Sequence, residues 1–86
     1  MVHKVYSMLD EKMEAYGPLN LSPNDGAVLR AMEESVVQSG MLNKHPEDFS
    51  LYCVGLFDDV TGELARESAQ PRLVARVSEM IARAAK

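Results

Sequence analysis

Positive charge is scarce in this chain. Nine Lys and Arg residues stand against 13 Asp and Glu over 86 residues, a formal net charge of −4. A sequence-independent coat for DNA needs surplus cations to displace counterions, so that class is excluded. Cysteine occurs once, at Cys53, which excludes an internal disulfide, and no ligand spacing for structural zinc accompanies it. No apolar run nears the roughly 18 residues that cross a bilayer as a helix, so no membrane partner is expected. The opening Met1-Val2-His3-Lys4-Val5-Tyr6 has neither the apolar stretch nor the small-residue cleavage site of a secretory signal. These absences predict a reducing, cytoplasmic setting. Aromatic residues are missing between Asp58 and Lys86, which argues against base stacking there.

What remains is an ordinary globular composition, 47% hydrophobic and 26% charged, sized for one small domain. A chain this short buries only about 60–65% of its unfolded surface, so association with itself is the expected route to added stability. Charge is unevenly spread. Residues 1–63 hold four basic and eleven acidic residues, whereas the remainder holds five basic and two acidic ones. The sequence therefore divides into an acidic body, residues 1–64, and a basic C-terminal segment, residues 65–86, of the same domain.

Alternation over residues 2–9 predicts a strand with one face partly wet. A loop with one helical turn follows, stopped at Gly17-Pro18. Ser22-Pro23-Asn24-Asp25 reads as a helix start with Ser22 as the cap. The helix is expected to end near Ser39, with Gly40 as its stop. Val28, Met32, Ser35, Val36 and Ser39 share its inner side. Residues 49–57 form the best strand candidate, with Phe49, Leu51, Cys53, Gly55 and Phe57 on one face and Ser50, Tyr52, Val54 and Leu56 on the other. Gly55 within it signals a bulge or the close approach of another backbone. Asp58-Asp59-Val60-Thr61-Gly62 is turn chemistry, with a short return strand over residues 63–65. From Pro71 an amphipathic helix is predicted, with Leu73, Val74, Val77, Met80, Ile81 and Ala84 as its apolar stripe. The expected fold class is α+β: a small antiparallel sheet with one packed helix and a C-terminal amphipathic helix.

The search for catalysis is negative. No phosphate-cradling glycine loop, Gly-x-Ser-x-Gly elbow or helical histidine pair is present. Cys53 has no neighbouring cation in sequence to stabilise a thiolate and reads as a core residue. Glu47-Asp48 and Asp58-Asp59 read as strand-flanking and turn carboxylates, so no metal, no cofactor and no enzymatic activity is expected. The basic segment is the candidate nucleic-acid surface: Arg72, Arg76 and Arg83 on one side of a helix, extended by Arg66 and Lys86.

One set of motifs is more particular. Lys44-His45-Pro46-Glu47-Asp48-Phe49-Ser50-Leu51-Tyr52, then Gly55-Leu56-Phe57-Asp58-Asp59 and Thr61-Gly62, resembles the signature of a small nonstructural protein of gokushovirus-type microviruses, icosahedral phages with circular single-stranded DNA. Lys4-Val5-Tyr6, Ala15-Tyr16, Pro18 and Asn24-Asp25-Gly26-Ala27-Val28-Leu29-Arg30 agree in order. The resemblance covers residues 2–64; the Ala/Arg-rich end departs from the short apolar, proline-containing segment of that family. It implies a non-enzymatic accessory role in viral single-stranded DNA replication and packaging, in the bacterial host cytoplasm and outside the virion. Direct contact with single-stranded DNA through the basic helix is one route. The other is an oligomeric adaptor that recruits host replication or viral proteins. Lys44, His45, Pro46, Glu47, Asp48, Phe57 and Asp58 carry the resemblance, as an architectural turn or a partner contact.

Overall fold

The computed structural model describes residues 1–38 and 40–84. Its centre is a pair of long antiparallel strands, β1 (Val2–Asp10) and β4 (Phe49–Asp58). Short strands flank them. β2 (Ala15–Tyr16) and β3 (Asn20–Ser22) both pair with β1, while β5 (Leu64–Ala65) and β6 (Arg72–Arg76) both pair with β4. The result is a curled six-stranded antiparallel sheet with helices on one face. The expected α+β class is the observed one, with β1, β4 and the return strand where periodicity puts them.

Helix α1 (Asp25–Gln38) begins two residues later than the sequence predicts. Asn24 holds the cap position: its Oδ1 accepts from the Ala27 amide at 2.8 Å and its carbonyl from the Val28 amide at 3.2 Å. Ser22 is engaged instead in the ladder with β1, opposite Lys4, so the second of two competent cap residues takes the role. Ser39, Ala85 and Lys86 lie outside the described residues, as do the side chains of Val37, Met41, Asn43 and Ala84. Gly40 opens a five-residue helix, α2 (Gly40–Lys44), where the sequence predicts a stop; Leu42 packs on the core from it.

The larger correction concerns residues 71–76, expected as helix. Arg72–Arg76 is a strand on the edge of β4, and α3 (Val77–Ala84) starts only at Val77. Two things fix that boundary. The Tyr52 and Cys53 stretch of β4 would otherwise present an unpaired edge, which Leu73 and Arg72 fill. Glu79 reaches back to accept from the Arg76 amide at 2.8 Å, the reciprocal half of a capping box. Strand β5 spans residue 64, β6 extends the sheet, and α3 contributes Val77 and Met80 to the core.

The core lies between helices and sheet. Tyr6, Leu51, Cys53 and Phe49 from the strands meet Val28 and Val36 of α1 and Val77 and Met80 of α3. Bulges set which residues face it. Register shifts between Val5 and Tyr6 leave Val54 unopposed, so Leu56 pairs with Lys4 and Phe57 with His3. Leu56 thereby moves to the helix side and Phe57 to the opposite side, the reverse of simple alternation. Gly55 makes this possible: a Cβ there would sit 2.8 Å from the Ala65 carbonyl oxygen.

Candidate functional site

The five predicted DNA-contacting cations do not form one helical track. Arg72 and Arg76 lie on a strand, on opposite faces, because Arg72 pairs in register with Cys53 and Arg76 with Ser50. Only Arg83 is on α3, where its Nε lies 3.2 Å from Glu33 Oε1 of α1. Arg76 Nη1 is 3.9 Å from Glu11 Oε2. Arg66 is exposed and, among the described residues, has no carboxylate partner; Lys86 lies outside the described residues. The physical reason is the strand at residues 72–76: a period of two separates side chains that a period of 3.6 would have gathered.

Arg72 is the centre of an ion network that sequence reasoning missed. Its Nη1 and Nη2 donate to Asp25 Oδ2 and Oδ1 at 2.8 and 3.1 Å, and its Nε and Nη2 donate to Glu67 Oε1 and Oε2 at 2.8 and 3.2 Å. Tyr6, fully buried, donates to Asp25 Oδ1 at 2.6 Å, and Lys4 Nζ lies 3.5 Å from Glu67 Oε2. The Arg72 guanidinium holds the Asp25 carboxyl down at about 2, with Tyr6 adding to the effect, and lowers Glu67 as well. Burial, then the Asp25 carboxylate, push the Tyr6 phenol up. Burial, then Glu67, raise the Cys53 thiol, so this cysteine lacks the electropositive setting of a reactive one. The arrangement joins the start of α1 to β1, β6 and the loop before β6. Its carboxylates are saturated by their own partners, which makes it a clamp between layers. The Asp25 and Arg72 pairing is 47 residues apart in sequence, and no local signal announces it.

The motif residues lie in the turn before β4 and at the far end of that strand. Pro46–Asp48 forms a 3-10 turn with proline in its first positions. The Asp48 amide donates to the His45 carbonyl at 3.1 Å, and the Asp48 carbonyl accepts from the Glu11 amide at 2.9 Å, tying the turn to the loop after β1. His45, Glu47 and Asp48 border a shallow depression of about 430 Å³ with Asp10, Lys12 and Phe49; Lys44, the last residue of α2, is exposed beside it. Asp58 Oδ1 accepts from the Val60 amide at 2.9 Å within its turn. Asp59 instead faces the Met1 amine and His3 Nε2, both at 2.8 Å. Asp58 Oδ1 also lies 4.0 Å from the Met1 amine, and among the described residues no group of three or more His, Cys, Asp or Glu could hold a metal ion.

The remaining feature is the sheet face away from the helices. Register partners share a face, so Val5, Leu21, Ser7, Tyr52, Leu73, Leu9 and Tyr16 belong to one surface, with His3, Phe57 and Leu64 at one end and Ser50 and Arg76 at the other. Val5 and Ser7 are buried at its centre, Ser7 donating to the Gly17 carbonyl at 2.8 Å. Tyr16 and Tyr52 stack edge to face, centroids 5.8 Å apart. Around them Tyr16 is 46% exposed, Leu21 52%, Leu64 64% and Leu73 42%.

The model of the family described as Phage ORF5 protein matches residues 3–80. The chain belongs to the Phage ORF5 protein family. The match runs from β1 through Met80, so it takes in β5, β6 and the start of α3, which the resemblance drawn from short motifs left out. No curated protein and no solved structure matches. Among the described residues of this Phage ORF5 protein, no helix is long and apolar enough to cross a membrane.

Proposed function

We propose that this Phage ORF5 protein is a non-enzymatic accessory protein of a single-stranded DNA phage of the gokushovirus-type microvirus group. It serves viral DNA replication and packaging in the host cytoplasm as an association module, working by protein contact. The observation that carries this reading is the helix-free sheet face, an apolar surface with two tyrosines at its middle. Surfaces of that kind mark interaction sites. The pairing of Arg72, Arg76 and Arg83 with carboxylates of the same chain supports it further, because phosphates would have to compete with those partners.

The test is complementation of a phage deprived of its own copy of the gene. Leu21→Glu with Leu73→Glu changes two exposed positions, so the fold should persist by circular dichroism while the yield of packaged single strands falls. Undiminished yield from the folded double variant overturns the reading.

Direct binding of single-stranded DNA is the second reading. Lys12, Arg30, Lys44 and Arg66 are exposed and, among the described residues, free of carboxylate partners. A gel-shift titration at low and moderate salt separates the two. The association reading expects only weak retardation that disappears at moderate salt; salt-resistant binding weakened by Arg66→Glu favours direct contact.

A further inference from the structure

We propose that the occupant of the helix-free sheet face is a second copy of this chain, docked sheet to sheet in a two-fold dimer. This rests on the association reading above and names its partner. The molecule measures 39 × 27 × 18 Å, and its thin dimension is filled by one helix layer and one sheet, each about 10 Å. Among the described residues, no helix packs on the other side of the sheet, and its apolar rim of Tyr16, Leu21, Leu64 and Leu73 stays exposed around the buried Val5 and Ser7.

Area and charge select the occupant. The exposed parts of Tyr16, Leu21, Leu64 and Leu73, with the half-buried Leu9, Tyr52 and Phe57, offer on the order of 500 Å² of apolar surface. A standard interface takes about 800 Å² from each partner, somewhat over half of it apolar, so the face matches what one stable dimer needs. Its polar groups already have partners within the chain, Arg76 beside Glu11 at 3.9 Å and the His3 ring against Asp59 at 2.8 Å. Among the described residues, the one arginine in register on this face, Arg76, already lies beside Glu11, so a nucleic acid would have to compete with that carboxylate, whereas a second copy needs no cation from the patch. Among the described residues, the Tyr16 and Tyr52 hydroxyls have no hydrogen-bond partner within the chain and are free to find one across the two-fold. Aromatic residues at the centre of a patch are the usual energetic anchors of an interface. Sheets packed this way stack about 10 Å apart and build a four-layer helix–sheet–sheet–helix sandwich.

Sedimentation velocity of the full chain over a range of concentrations tests this. The expected result is a monomer–dimer equilibrium that Leu21→Glu with Leu73→Glu weakens by more than about tenfold, with the circular dichroism spectrum unchanged. Ala31→Glu, on the exposed side of α1, should leave the equilibrium as it is. A wild-type chain that stays monomeric throughout overturns the inference, as does a dimer dissolved by Ala31→Glu but not by the sheet-face pair. Monomeric wild type combined with failed complementation by the sheet-face pair overturns the dimer alone and leaves a different protein as partner. A dimer dissolved by the sheet-face pair that nonetheless complements fully upholds the dimer and overturns the functional reading.

Discussion

Arg72 concentrates more of the fold's ionic chemistry than any other described residue. A planar fork that bonds two carboxylates at once cannot be replaced by a point charge. Arg72→Ala should lower stability by about 1–2 kcal/mol, a figure discounted for the partial exposure of the pair, and Arg72→Lys should recover only part of it in thermal melts. The Asp25 carboxyl, held at about 2 by Arg72, also sets an acid limit. Its pKa lies lower in the folded chain than in the unfolded one, so its contribution is complete above about pH 4 and lost as pH falls toward 2. Denaturant midpoints between pH 5 and pH 2 should therefore fall less steeply in Asp25→Asn than in the parent chain, from a lower starting value. Equal slopes would show that Asp25 does not carry this dependence.

At the scale of elements, the bulge at β4 and the cap of α3 each hang on one residue. Gly55→Ala drives a Cβ into the Ala65 carbonyl, a backbone atom that cannot swing aside. The expected cost is about 1–3 kcal/mol, with faster amide exchange at Asp58, which donates to the Glu63 carbonyl in the same hairpin. Glu79→Ala frees the Arg76 amide and should cost about 1 kcal/mol in a denaturant titration. These two sites also show what was legible in the sequence. Gly55 could be read because a glycine inside an apolar strand marks a bulge or a close backbone approach. Strands β1 and β4 and helix α1 could be read because each is long enough for its period to repeat. Arg72–Arg76 could not. Five residues do not distinguish strand from helix, and what decides between them is the open edge of β4, some twenty residues earlier in the chain. Glu79 three places after Arg76 was the available local signal for the later helix start. The candidate site was less legible still, since both the Arg72 network and the exposed sheet face depend on pairings between distant segments.

For the whole molecule, the acidic body and the basic end are one structure. Val77 is fully buried and Met80 nearly so, and removing either large side chain from a core costs about 2–5 kcal/mol. A chain ending at Ser68 loses both, together with β6, and domains of this size hold only about 5–15 kcal/mol in total. That truncation should give the circular dichroism and amide proton dispersion of an unfolded chain; a folded spectrum would show residues 1–68 to be self-sufficient. The central ladder has a further consequence, in time rather than in energy. β1 and β4 pair residues 39 to 56 positions apart, from Asp10 with Phe49 to Val2 with Asp58. Contacts of such long range are slow to form, because the loop must close before the ladder repays it. A ribosome adding about 5–20 residues per second finishes β1 seconds before β4 emerges. Through that interval the first strand made is also the one with the longest wait, its apolar edge open to whatever chain is nearest.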